Sequence, residues 1–128
     1  MRFMMLYKPG KESTAPPTPQ EMAAMGQLID EMTKAGVLLA TDGLQHSSKG
    51  ARVRKTGNTV TVTDGPFTET KELIAGFAIV QASSKHEAIE MAKRFLNVVG
   101  EGESEIRLMH DASAFPTQTS EQEQVATR

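Results

Sequence analysis

The sequence predicts an α+β fold built as a split βαβ repeat with a β-hairpin inserted at its middle. Three observations predict it. Two stretches carry apolar residues at three- and four-residue spacing, and each is opened by Thr or Ser with Glu three positions on, which marks two helices. Short apolar runs flank both stretches through short links, as right-handed strand–helix–strand units require. Between these units the turn Thr56-Gly57-Asn58 leads into the alternation Thr59-Val60-Thr61-Val62-Thr63, the pattern of a hairpin.

Taken in order, Phe3-Met4-Met5-Leu6-Tyr7 is continuously apolar and too short for an independent helix, so it reads as an interior strand covered on both faces. Lys11 to Pro17 is a polar, proline-rich loop over the surface. Thr18 then caps a helix, with Pro19 in its first position and Glu21 closing a capping box. Met22, Met25, Ile29 and Met32, with Leu28 beside them, form its apolar face, and Gly36 ends it. Val37 to Ala40 begins the second strand, which runs toward Asp42-Gly43-Leu44. The hairpin follows, with Val53 between Arg52 and Arg54, and one of its faces solvated. Its threonines face solvent or line a pocket; alternation alone does not decide which. Ile74 to Gln81 is the next strand, where Gly76 suits a close backbone approach or a bulge. Ser84 and Glu87 form a second capping box for a helix that buries Ala88, Ala92, Phe95 and Val99, and Glu105 to His110 is the last strand. The domain therefore spans residues 1–112. Residues 113–128 form a polar tail rich in Ser, Thr, Gln and Glu, expected to be disordered, with Phe115-Pro116 as a possible docking point.

Two helices cover one face of a sheet. Strands such as Phe3 to Tyr7 and Leu73 to Val80 carry apolar residues on both sides, so the other face needs a cover, and a second copy of the same sheet is the simplest one. A homodimer is expected on this ground alone.

Composition narrows the function. At 128 residues the chain fits one domain, and a net charge of −2 gives no electrostatic basis for binding nucleic acid. There is no cysteine, which excludes disulfides, thiolate metal sites and cysteine nucleophiles. No apolar run approaches a membrane span or a signal sequence, so a cytoplasmic protein with no membrane partner is expected. The eight methionines fall mostly in predicted elements and serve as core filler.

The candidate chemistry gathers at the connection between hairpin and third main strand, Asp64-Gly65-Pro66-Phe67-Thr68-Glu69-Thr70-Lys71-Glu72. Asp-Gly supplies turn chemistry, Pro66 fixes its own φ and pushes Gly65 out of the α region, and Phe67 offers an apolar anchor beside charged residues. Asp64 has two readings: acceptor for turn amides, or proton acceptor in general acid/base catalysis. Lys71 suits an anion-binding or charge-stabilising role, and Glu72 a polar partner to it at a pocket mouth. Glu69 with Glu72 would serve as an acid/base pair only if burial separated their pKa values. His46 follows Gly43-Leu44-Gln45 at the end of the second strand, where a loop could bring it toward the inter-sheet space as a further ligand-binding candidate. His86 and His110 stand apart from it, and no metal-ligand spacing links the three, so neither metal nor other cofactor is expected.

The run from Asp64 to Glu72, followed by Leu73-Ile74-Ala75-Gly76-Phe77, resembles the signature of the DGPF proteins, a branch of the YCII-related family. The resemblance continues through Gly36-Val37-Leu38-Leu39, Gly43-Leu44-Gln45 and Gly102-Glu103-Ser104-Glu105-Ile106-Arg107, and covers about residues 1 to 115. It implies a small bacterial protein with a ferredoxin-like α+β fold that forms a dimeric α+β barrel, in a family whose activity is mostly unassigned; the charged connection itself is the ground for expecting an unknown small-molecule ligand, polar or anionic, between sheet and hairpin. Shorter YCII-type proteins carry a histidine near the start of the first helix, paired with an aspartate. Here Gln20-Glu21-Met22 stands in that place, so the pair is not carried over. DGPF proteins also resemble modules found beside extracytoplasmic-function sigma factors, which implies an alternative regulatory or interaction role. A cofactor-independent oxygenase, as barrels of this shape can be, has little to work with, since Tyr7 is the only tyrosine and tryptophan is absent.

Overall fold

The computed structural model of the chain describes residues 1–68 and 73–111. The first helix, α1 (Pro19–Lys34), starts where its capping box dictates: Glu21 N donates to Thr18 Oγ1 at 3.1 Å, and Thr18 N donates to Glu21 Oε1 at 3.2 Å. Gly36, at φ +75°, turns the chain out of it. The second helix, α2 (Lys85–Val99), has half of the expected box. Ser84 Oγ accepts from Glu87 N at 3.1 Å, but the Glu87 carboxylate accepts from Ser83 Oγ at 2.5 Å, a closer donor than the cap amide.

Around these helices run β1 (Arg2–Lys8), β2 (Leu38–Gly43), β3 (Ala51–Thr56), β4 (Thr59–Asp64), β5 (Gly76–Gln81) and β6 (Glu103–Leu108). Four of them form one sheet in the order β2-β5-β1-β6, with every adjacent pair antiparallel. The strands of each βαβ unit are thus separated by a strand of the other unit, which is the ferredoxin-like arrangement. The fifth strand starts at Gly76 rather than Ile74, and just before it Ala75 O accepts from Leu44 N while Ala75 N donates to Tyr7 O. The last strand is set two residues earlier than expected, with Tyr7 opposite Ser104 and Phe3 opposite Leu108. A β-bulge between Leu38 and Ala40 leaves Leu39 exposed. Gly76 lies close to the neighbouring strand: a Cβ there would sit 3.0 Å from Asp42 O.

The core lies between one sheet face and the helices. Phe3 and Val80 are paired across β1 and β5 and are buried together with Met5, Ala82, Leu28, Met32, Ala88 and Ala92. Met25 and Ile29 are half-buried, whereas Met22, in the first turn of α1, is 61% exposed, so the apolar face of this helix is engaged only from its second turn. On the opposite sheet face Met4, Leu6, Phe77 and Ile79 are half-buried and stand outside that core.

The hairpin of β3 and β4 forms its own two-stranded sheet. Both of its faces are exposed, not one: Val53 and Val62, paired across the ladder, are 69% and 65% exposed. Having left the main sheet, these valines find nothing among the described residues to pack against. No helix is long and apolar enough to cross a membrane. The tail from residue 113, Phe115 included, and the segment Glu69 to Glu72 lie outside the described residues.

Candidate functional site

Three connections meet at one end of the main sheet. After β1, the chain bends at Gly10 (φ +80°) and leads to Glu12, which reaches Ser47. After β2, Leu44 N donates to Ala75 O, and Ala75 N donates to Tyr7 O, both at 2.8 Å, which ties this end of β2, β5 and β1 together. Beyond Leu44 a single 3-10 turn, Ser47–Lys49, begins at His46. These segments enclose a cleft of about 190 Å³ lined by Lys11, Glu12, Gln45 and His46, with Leu44, Leu73 and Ile74 as its apolar part.

Glu12 is the fixed point of this cleft. Its Oε2 accepts from Ser47 N at 2.7 Å, and its Oε1 accepts from Ser47 Oγ at 2.5 Å. Ser47 Oγ in turn accepts from Phe67 N at 3.0 Å, so the serine connects the β4–β5 connection to the carboxylate. The Ser47 hydroxyl hydrogen bond, with the Ser47 amide and the nearby His46 ring, holds the Glu12 carboxyl below its ordinary value, against the opposing effect of partial burial. The His46 ring closes the cluster. Its Nδ1 accepts from Ser48 N at 3.1 Å and lies 3.0 Å from Ser48 Oγ, which assigns the proton of the neutral ring to Nε2. Nε2 faces Glu12 Oε1 at 3.6 Å. Nδ1 is therefore engaged within the protein, while Nε2 faces the carboxylate from beyond hydrogen-bond distance.

The β4–β5 connection docks on this cluster by a close backbone contact. A Cβ on Gly65 would sit 1.8 Å from Ser47 O, so only glycine fits, for a reason of proximity and not of turn conformation. The Gly65-Pro66 peptide is cis, and Gly65 N donates to Gly50 O at 3.0 Å. Leu73, 5% exposed, anchors the far end of the connection.

The sequence-derived candidates separate accordingly. His46 lines the cleft. Phe67 reaches the cluster through its backbone N–H, while its half-buried ring stacks on Arg52, with the guanidinium carbon 4.0 Å from the ring centroid. Asp64 ends β4 opposite Ala51; its carboxylate is exposed and makes no hydrogen bond or ion pair among the described residues, and it lines neither this cleft nor the larger cavity described below. Glu69, Lys71 and Glu72 lie outside the described residues. Glu12 and Ser47 were not anticipated. Glu12 belongs to a loop that reads as surface, and its partner lies 35 residues away, a distance no local pattern reports. Among the described residues no group of three or more His, Asp or Glu side chains converges as a metal ion would need.

A second cavity, of about 420 Å³, lies between the helices and the core face of the sheet. Tyr7 stands in its wall, edge-on to Phe95 with centroids 5.2 Å apart, and donates its hydroxyl to Glu101 O at 2.9 Å. Burial pushes the Tyr7 hydroxyl pKa up.

Comparison with known proteins places the chain. An uncharacterized protein of Rhizobium meliloti (strain 1021) is 34% identical to it over 64 residues, which is 50% of this chain and 52% of that protein. The chain thus spans about half the length of the curated relative it matches. The model of the YCII-related domain matches residues 1–109, all six strands and both helices, and the chain belongs to the YCII-related family.

Proposed function

We propose that this protein binds a small polar metabolite in the cleft bordered by Glu12, His46 and the β4–β5 connection, and that it does so as a homodimer. The observation that carries the binding reading is the Glu12 carboxylate, oriented by two hydrogen bonds from Ser47 at the edge of a concavity that also offers Lys11 and Gln45. Each carboxylate oxygen keeps a lone pair for a ligand hydroxyl or ammonium, and the lysine supplies the opposite charge for an acidic group. Binding fits this geometry better than proton abstraction. A carboxylate held below its ordinary pKa is a weak base at neutral pH, and the lone pair of His46 Nδ1 already accepts from Ser48 N. The homodimer reading is supported by the half-buried apolar row of Met4, Leu6, Phe77 and Ile79 on the sheet face away from the helices.

A thermal-shift screen of hydroxy acids, amino acids and their amides tests the binding reading. At least one compound should raise the Tm of the wild type, and Glu12→Gln and His46→Ala should remove that response. A panel that stabilises nothing, or that stabilises the variants as well as the wild type, ends this assignment.

A further inference from the structure

Among the described residues, every open strand edge but one carries a feature that discourages pairing with another chain. The bulge at Leu39 interrupts β2, β6 carries Glu103, Glu105 and Arg107, and β3 carries Arg52, Arg54 and Lys55. The outer edge of β4 has no such feature. From Thr59 to Thr63 it holds no charge, no proline and no bulge, it is exposed along its length, and β3 is its one partner strand among the described residues. An uncharged run of threonine and valine is a ready template for a further strand.

The hairpin ladder shows which backbone groups that edge presents. Gly65 N donates to Gly50 O, and hydrogen-bonded pairs alternate along an antiparallel ladder, so Thr59, Thr61 and Thr63 bond inward to β3. The N–H and C=O groups of Val60 and Val62 therefore face outward. Side chains sort by face in the same way, with Val53, Val60 and Val62 on one side and Arg52, Arg54 and the threonines on the other. Arg52 stacks on Phe67, and the valines are left exposed. A two-stranded hairpin exposed on both faces is marginal by itself, and further strands beside it would stabilise it.

The sequence of the edge identifies the further strand. Thr59-Val60-Thr61-Val62-Thr63 reads the same in both directions, so antiparallel pairing with a second copy about a two-fold axis at Thr61 sets like against like. Val60 then meets the partner's Val62, with the outward N–H and C=O groups of both in register, and the valine faces of the two hairpins become continuous. The same operation on β3 about Val53 would set Arg52 against the partner's Arg54, a like-charge pair.

We propose that two copies of the chain join edge to edge through β4. The contact uses none of the apolar row Met4, Leu6, Phe77 and Ile79 and does not depend on it. Its strands are short, so it covers far less area than a stable dimer interface and is a weak, reversible association that does not hold copies together at micromolar concentration.

Because the chain has no cysteine, a single introduced one reports the register. Thr61 would lie opposite the partner's Thr61 in a non-hydrogen-bonded pair, whose Cα separation of about 4.5 Å is within disulfide range. At millimolar concentration under mild oxidation, the full chain carrying Thr61→Cys should cross-link roughly tenfold faster than Thr59→Cys, which faces the partner's Thr63 instead. Adding Val60→Lys and Val62→Lys sets lysine against lysine and should bring the Thr61→Cys rate down to that of Thr59→Cys. In the Ile79→Asp background the difference between the two cysteines should persist, which separates this contact from apposition of the main sheets. The amide exchange of Val60 and Val62 in the wild type should slow as concentration rises. All the substituted hairpin side chains are exposed, so these variants keep the fold. Equal cross-linking at the two cysteines, a rate that the lysines leave unchanged, or valine exchange independent of concentration would overturn the proposal.

Discussion

Glu12 is an acid whose electrostatics are set by a serine 35 positions away, and that makes it a pH-dependent element of stability. Folding lowers its pKa below the ordinary 4.5, so the ionised, hydrogen-bonded form stabilises the native state at pH values above 4.5. That contribution is lost as the pH falls below 4.5 through the folded value. Glu12→Gln should therefore be less stable than wild type at neutral pH, and the gap between them should narrow on acidification. Denaturant midpoints across roughly pH 3 to 7 measure this, and a gap independent of pH would show that the carboxylate charge contributes nothing. At this scale sequence reading saw part of the site. His46 was legible because it follows a strand end in a polar stretch, where a side chain is free to turn inward. Asp64 drew attention for its turn chemistry, but its position at the end of an outlying strand leaves it in solvent. Ser47 gave no signal, since its importance comes from what it bridges.

At the scale of elements, both helix starts were readable because capping is local: the atoms that satisfy Thr18 and Glu21 lie within one turn of each other. The hairpin ladder was readable for the same reason, from its alternation and from Gly57, which takes φ +60° at the turn. Its setting was not, because alternation reports two faces and not what stands opposite them. The β4–β5 connection is held by contacts of a third kind, made by backbone against backbone. Gly65→Ala should push a methyl group into the Ser47 carbonyl and displace the 3-10 turn that carries His46 and Ser47. An expected loss of about 1–3 kcal/mol follows from overpacking of this kind. Equilibrium denaturation checks it, and a variant as stable as wild type would mean that the two segments separate freely.

For the whole molecule, the ferredoxin-like order followed from counting strands and helices, whereas the proposed homodimer rests on a surface that the helices leave uncovered. Ile79 lies on that surface, opposite Met4 on one side and Ala40 on the other. If the proposed homodimer forms by apposing these faces, the wild type should sediment as a dimer. Ile79→Asp should then sediment as a folded monomer, because a charge in a buried apolar interface has no partner. Dimeric Ile79→Asp, or a wild type that is monomeric at micromolar concentration, would place the contact elsewhere.

The central position of β1 also bears on which contacts the sheet must close. That strand is paired on one edge by Gly76–Gln81 and on the other by Glu103–Leu108, so both of its partners come from the other half of this sequence. Every pairing that β1 makes therefore closes a long loop, which is the costly kind of contact to form.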